Sequence, residues 1–201
     1  MSKSIDNTPR EEDGHVVLVL DDRQEYWVNG KRHREDGPAV IYGDGTEMYF
    51  VNGKVHREDG PAIIHANGDQ EYWLINQLHR TNGPAMTRPD GTKEYWVNGK
   101  LHREDGPAVI KFDNRHEYWV NGKLHRTDGP AVIYANGSQE YWVNGKRHRE
   151  DGPAITKDYN RQEWWINGIN VTYKITSWLS ENKCSWPFAE EQLVEFRLRF
   201  C

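Results

Sequence analysis

The sequence predicts an all-β protein, an elongated repeat array of stacked antiparallel β-hairpins with a small α or α+β cap at its C-terminal end. Three observations predict it: a strict 23-residue period, two short apolar segments in every period, and turn dipeptides at fixed places between them. The period is plainest in the histidines. His33, His56, His79, His102, His125 and His148 follow one another at intervals of 23. A Gly-Pro-Ala tripeptide keeps the same register, opening at Gly37, Gly60, Gly83, Gly106, Gly129 and Gly152. So do the aromatic pairs, from Tyr26-Trp27 through Tyr49-Phe50, Tyr72-Trp73, Tyr95-Trp96, Tyr118-Trp119 and Tyr141-Trp142 to Trp164-Trp165. Self-similarity at a fixed period marks a repeat architecture.

The elements follow from the unit. One apolar segment is Pro-Ala-Val-Ile-Tyr, as at residues 38–42 and 130–134, and the other is Glu-Tyr-Trp-Val, as at 94–97 and 117–120. Both are rich in β-branched and aromatic residues and too short for helices, so they predict strands. Between them stand Asp44-Gly45, Asn67-Gly68, Asp90-Gly91 and Asn136-Gly137. Such dipeptides signal a hairpin whose two turn residues both take positive φ. Two units carry Asn114 and Asn160 where the glycine would stand, and at the second turn Asn76 corresponds to Gly53 and Gly99. Asn is the residue that best replaces Gly in a left-handed conformation. One unit is thus expected to be one hairpin. Hairpins stacked edge to edge rise about 10 Å per repeat, and seven of them span roughly 65–70 Å. A lone hairpin is unstable, so neighbours must bury one another.

A degraded half unit places Asp13-Gly14 23 residues before Asp36-Gly37. The expected organisation is therefore a flexible N-terminus at residues 1–12, hairpin repeats at 13–168 and a capping segment at 169–201. In the last of these, Ile175, Trp178 and Leu179 fall at helical spacing, so residues 173–183 predict a short amphipathic helix with Thr172 as its N-cap. Pro187 breaks the chain. Residues 189–192 then begin like a helix with acidic residues at its start. Residues 194–200 alternate strictly and favour a strand, although Leu193, Phe196 and Phe200 also fit one face of a helix. The segment is expected to cap the open end of the stack; the alternative is a partner-binding tail.

Composition narrows the function classes. Hydrophobic residues make up 36% and charged residues 28%, which by itself suggests disorder. Nine Trp and ten Tyr argue for a fold with a thin aromatic core instead. The net charge of -5 gives no bulk attraction to nucleic acid or anionic lipid. Charges of both signs interleave, as in His33-Arg34-Glu35-Asp36, which reads as a solvated, salt-bridged surface. Cys184 and Cys201 are the only cysteines and make no disulfide framework. The polar N-terminus lacks the apolar core of a signal peptide, and no apolar run reaches membrane-spanning length. A cytoplasmic location without membrane insertion is the expectation.

The histidine ladder tempts as a metal site. Stacked units would hold its members about 10 Å apart, while the ligands of one zinc sit ~2 Å from it. Each His is expected to pack in the turn and bond the following Arg-Glu-Asp-Gly backbone. His102, Glu104 and Asp105 could be read as an acid–base pair. A catalytic site copied along every unit is unlike the single concave pocket of an enzyme, and no phosphate loop or nucleophile elbow is present, so no catalysis, cofactor or metal is expected. The aromatic ladder is the better candidate. Strand alternation puts Tyr and Val on one side and Trp on the other. Trp27, Trp73, Trp96, Trp119 and Trp142, flanked by Arg80, Arg103 and Arg126, are the candidate binding residues. Two readings stand: Lys and Arg stems cover the stripe, or it forms a groove for a partner chain or a planar ligand such as a base. The third unit departs most, with Gln77, Thr81, Asn82, Met86 and Arg88.

The 23-residue period and strings such as Tyr118-Trp119-Val120-Asn121-Gly122-Lys123-Leu124-His125 resemble the MORN repeat (membrane occupation and recognition nexus) in a variant form. The usual motif places a second glycine directly after the histidine, where Arg-Glu-Asp-Gly-Pro-Ala stands here. Similar arrays are frequent in proteins of bacteriophages and other large viruses. The resemblance implies a scaffold that engages a protein partner, acting in a viral setting on a host component. It leaves as alternatives a module that sequesters a nucleotide-type signal against host defence and a viral structural or assembly protein. Oligomerisation through the array ends or the cap would fit either. The lipid binding attributed to the family by name lacks its basic bias here.

Overall fold

The computed structural model describes residues 9–12, 14–158 and 161–201. Residues 1–8 of the expected flexible N-terminus, Asp13 and the expected turn residue Asn160 lie outside the described residues. The chain is mainly antiparallel β-hairpins followed by two helices, and it divides into two compact units, Met1–Lys100 and Leu101–Cys201.

In the first unit, strands Arg10–Glu12, His15–Val19, Arg23–Val28, Val40–Tyr42, Glu47–Met48, Ile63–Ile64, Gln70–Glu71, Met86–Thr87 and Lys93–Glu94 pair in that order, each antiparallel to the next. Arg10–Glu12 is thus a paired strand, although it falls in the stretch expected to be flexible. In the second unit the same order runs through Val109–Ile110, His116–Glu117, Val132–Ile133, Gln139–Glu140, Ile155–Lys157 and Arg161–Glu163.

Each repeat holds a second hairpin that the one-hairpin reading did not anticipate. Phe50–Val51 pairs with Lys54–Val55, Trp73–Leu74 with Gln77–Leu78, Trp119–Val120 with Lys123–Leu124, and Trp142–Val143 with Lys146–Arg147. The reason lies at the tyrosine between sheet and ribbon. Its N–H pairs forward and its C=O pairs within its own unit: Tyr118 N donates to Ala131 O at 2.7 Å, and His125 N donates to Tyr118 O at 3.0 Å. Two partners on different elements bend the strand there.

The two turns differ in kind. In the ribbon turn both residues are left-handed, as at Asn52 (φ 52) and Gly53 (φ 79), which is the type I′ geometry. Asn76 takes φ 61 where Gly53 and Gly99 stand in other units, as expected. In the sheet turn only the second residue is left-handed, as at Gly45 (φ 93). Gly45 N donates to Tyr42 O and Tyr42 N to Thr46 O, a type I turn closed by a glycine bulge. The expectation of positive φ at both residues is therefore corrected. Asp44 stands there for its side chain, whose Oδ1 accepts from Thr46 N at 2.8 Å. Asn67, Asp90, Asp113 and Asn136 do the same. Asn114 takes the glycine's place at φ 64, as expected.

The core of the repeats is thin and mainly aliphatic, with the buried Phe50 ring packed beside Ala39 and Val40. Ala39, Ala62, Ala85, Ala108, Ala131 and Ala154 are all 0% exposed, next to Val40, Ile63, Val109, Val132 and Ile155. The repeat aromatics are mostly half-buried beside this line, and a larger aromatic core forms where the C-terminal segment packs on Trp164 of the last repeat. There helix α1 (Thr172–Glu181) and helix α2 (Glu190–Phe200) enclose Trp164, Ile175, Trp178 and Phe196. The strand favoured for residues 194–200 is corrected to helix. Glu190 and Glu191 occupy the first turn, Arg197 and Arg199 the last, and Gln192 Oε1 accepts from Ala189 N at 3.0 Å. Leu193, Phe196 and Phe200 then share the buried face, with Phe196 5.4 Å from the Trp164 ring. Thr172 is the first residue of α1 rather than its cap. Its N–H donates to Asn170 Oδ1, and its hydroxyl accepts from Trp164 N.

Candidate binding surface

The tryptophans are tied down by the glutamate two residues earlier, which shares their face of the strand. The indole N–H of Trp27 donates to Glu25 (3.0 Å), of Trp73 to Glu71 (2.7 Å), of Trp96 to Glu94 (3.1 Å), of Trp119 to Glu117 (2.8 Å) and of Trp142 to Glu140 (3.0 Å). The carboxylates are held in turn. Arg23 and Arg32 bind Glu25 at 2.6 and 2.9 Å, Arg115 binds Glu117 at 2.9 Å, and the Tyr134 hydroxyl donates to Glu140 at 3.0 Å. Burial pushes the Glu25 carboxyl up, but Arg23, Arg32 and Trp27 outweigh it and hold it below its ordinary value. Burial, then the bond to Glu140, raises Tyr134. All five tryptophans are half-buried, and ribbon arginines lie over some of them: Arg32 is 5.5 Å from the Trp27 ring and Arg147 is 4.9 Å from Trp142.

The second arginine row, to which Arg80, Arg103 and Arg126 belong, meets the tryptophans through its backbone alone: their N–H groups donate to Trp96 O, Trp119 O and Trp142 O at 2.9–3.0 Å, while the side chains turn elsewhere. These guanidiniums lie on the tyrosines: Arg34 over Tyr26 and Arg57 over Tyr49 at 4.0 Å, Arg80 over Tyr72 at 3.8 Å, Arg126 over Tyr118 at 4.0 Å. Each Nε donates to the residue two further on, at 2.8 Å for Arg34–Asp36, Arg57–Asp59, Arg103–Asp105 and Arg126–Asp128. Those bonds hold the four aspartates below the usual carboxylate range. The guanidinium crosses the following glycine so closely that a Cβ on Gly106 would lie 3.1 Å from Arg103 Cζ. A side chain there would press on that crossing.

The histidines link successive repeats instead of bonding the backbone that follows them. The N–H of Asn52 donates to His33 Nδ1, of Asn98 to His79, of Asn121 to His102 and of Asn144 to His125, each at 3.1 Å. With Nδ1 accepting, the neutral ring carries its proton on Nε2. Nε2 faces a glutamate, 3.5 Å from Glu35 at His33 and 3.7 Å from Glu104 at His102. The third unit breaks the pattern. Ile75 stands where the others have Asn, at φ 50, and His56 Nδ1 has no partner among the described residues. Among the described residues no group of three or more His, Cys, Asp or Glu side chains comes together to hold a metal.

A groove missed at the sequence level lies between successive Arg-Glu-Asp-Gly loops. It recurs between residues 34–59, 57–82, 103–128 and 126–151, with volumes of about 550, 350, 530 and 570 Å³. Its walls are the charged loop of one repeat and the Tyr, Val or Leu, His and Arg of the next, as with Tyr118, Val120 and His125. The signal in the sequence was the constancy of the charged loop, which composition alone reads as solvated surface.

Fold and surface define a tandem β-hairpin repeat protein with one groove chemistry repeated along it. No protein-family model matches the chain, and a search of curated proteins found no match either. Among the described residues, no helix is long and apolar enough to cross a membrane.

Proposed function

We propose that this protein is a non-catalytic scaffold that binds an extended segment of a protein partner along its grooves. The observation that carries the reading is the recurrence of one groove at residues 34–59, 57–82, 103–128 and 126–151. Catalysis uses a single enclosed pocket as a rule, whereas a repeated open groove suits a partner that touches several rungs. Weak contacts joined on one chain add to a firm one. The groove walls are held in place by stacking and ion pairs, so little ordering is needed on binding. A peptide fits better than a planar base, because a guanidinium already occupies a face of the groove tyrosines Tyr49, Tyr72, Tyr118 and Tyr141. The resemblance to MORN arrays supports the same scaffold role, and its viral form would act on a host component.

The test is a selection of peptides from a random display library on the purified protein, followed by hydrogen exchange with and without a selected peptide. Protection is expected at the backbone of Tyr49, His56, Tyr118 and His125. Protection confined to the tryptophan ribbons, or no selectable peptide, would overturn the reading.

A further inference from the structure

We infer that the grooves receive the basic side chains of the partner segment, with the strongest site between residues 34 and 59; this deepens the groove reading and rests on it. That groove is lined by Arg34 and Arg57 and by four carboxylates, Glu35, Asp36, Glu58 and Asp59. The aspartates are matched by the two arginines at 2.8 Å. The side chains of Glu35 and Glu58 are 86% and 83% exposed, and each faces an imidazole instead of an arginine. Two carboxylates are left uncompensated around a concave surface.

The second unit supplies an internal precedent. The groove at 126–151 is lined by Asp128, Glu150 and Asp151 against Arg126 and Arg149, and there the chain itself brings a third cation, Arg197 of α2. A basic side chain from outside the repeats thus borders one of these grooves, as an exposed side chain at its rim. The groove at 103–128 has Glu104 as its surplus carboxylate and no such cation. At 57–82 the second rim is Thr81 and Asn82, so charge balances and that rung is predicted not to hold a cation. Each repeat adds two strands to the sheet, which separates equivalent rim carboxylates by about 10 Å. An extended polyproline-type chain returns to the same face every third residue, roughly 9 Å on. The fitting partner therefore carries Lys or Arg at positions i and i+3.

The test is fluorescence anisotropy of three labelled peptides with the full chain. One has arginine at every third position of a Pro-Gly background, one has the same arginines contiguous, and one has glutamate in their place. The spaced basic peptide is expected to bind tightest. The variant Glu35→Gln/Glu58→Gln, altered at exposed side chains whose imidazole contacts an amide oxygen can keep, should weaken it about fivefold to tenfold. Arg197→Ala should tighten it about threefold by freeing the last groove. Equal binding of the glutamate peptide, equal binding of the contiguous peptide, or no change in the double variant would overturn the inference. If the basic peptides fail while a library-selected neutral peptide still protects Tyr49 and His56, the basic inference falls and the groove reading stands. If nothing protects the groove, both fall.

Discussion

The backbone N–H of Asn121 donates to His102 Nδ1, 3.1 Å away and one repeat earlier. This bond joins the loop of one unit to the ribbon turn of the next and explains why the His keeps the 23-residue register, whereas the Asn is kept for its left-handed φ of 52. His102→Ala is expected to cost about 1–2 kcal/mol, because it removes the acceptor and leaves the Asn121 N–H without it. His56→Ala is expected to cost less, since the His56 Nδ1 makes no such bond. Urea midpoints of the two variants check this, and equal losses would show that the inter-repeat bond is not the cause.

Ile75 is a β-branched residue at φ 50, in a position where other units have Asn. A left-handed conformation costs an ordinary L-residue about 1–2 kcal/mol, and Asn less. Ile75→Asn should therefore raise stability by about 1 kcal/mol, the more so because the Ile75 side chain is exposed and loses little burial. The converse change Asn52→Ile should lower it by a similar amount. Thermal midpoints moving in opposite directions are the expected result.

Glu25 is 2% exposed and held ionised by Arg23, Arg32 and the Trp27 indole, which outweigh burial and lower it from its ordinary value of 4.5. A carboxyl whose folded-state pKa lies below its unfolded value contributes stability above the unfolded value and loses it as pH falls through the folded one. Wild-type stability should thus decline on acidification below about pH 4.5, and Glu25→Gln should flatten part of that decline while lowering stability at neutral pH. Chemical denaturation across the acid range reads both effects. A wild-type acid slope that survives unchanged in Glu25→Gln would assign it to other carboxylates.

Phe196 is 0% exposed and Leu198 is 86% exposed, on opposite sides of α2. Phe196→Ala is expected to cost about 3–5 kcal/mol by emptying the aromatic core, whereas Leu198→Ala should change stability by less than about 0.5 kcal/mol. In a strand both residues would share a face and behave alike. Near-ultraviolet circular dichroism during unfolding reports the loss through Trp164 and Trp178.

Much of the fold was legible because its causes are local. The left-handed residues at Asn52, Gly53, Asn76 and Asn114 favour Asn or Gly for local steric reasons, so their spacing announces the turns even though Ile75 breaks the rule once. The sheet turn was half legible. Asp44-Gly45 marks a turn, but which turn depends on whether Asp44 supplies its backbone or its carboxylate, and the bond to Thr46 N shows the latter. The candidate site was legible in its residue types and not in its grouping. Sequence places Trp96 and Arg103 a few residues apart, while the structure ties Trp96 to Glu94 and Arg103 to Asp105.

The sequence by itself determined the period, the places of the turns and the alternation of Tyr and Trp, because each depends on residues within one unit. Tertiary structure alone decided three things. It gave five of the six ladder histidines a partner nineteen residues ahead, as Asn121 is to His102. It laid the arginines on the tyrosines and so opened the grooves between loops. It made residues 194–200 helical, since only a helix turns Leu193, Phe196 and Phe200 together onto Trp164 and Trp178. The physical reason is common to all three. Each rests on a surface that exists only once a neighbouring unit or helix has packed, and periodicity within one segment carries no record of that neighbour.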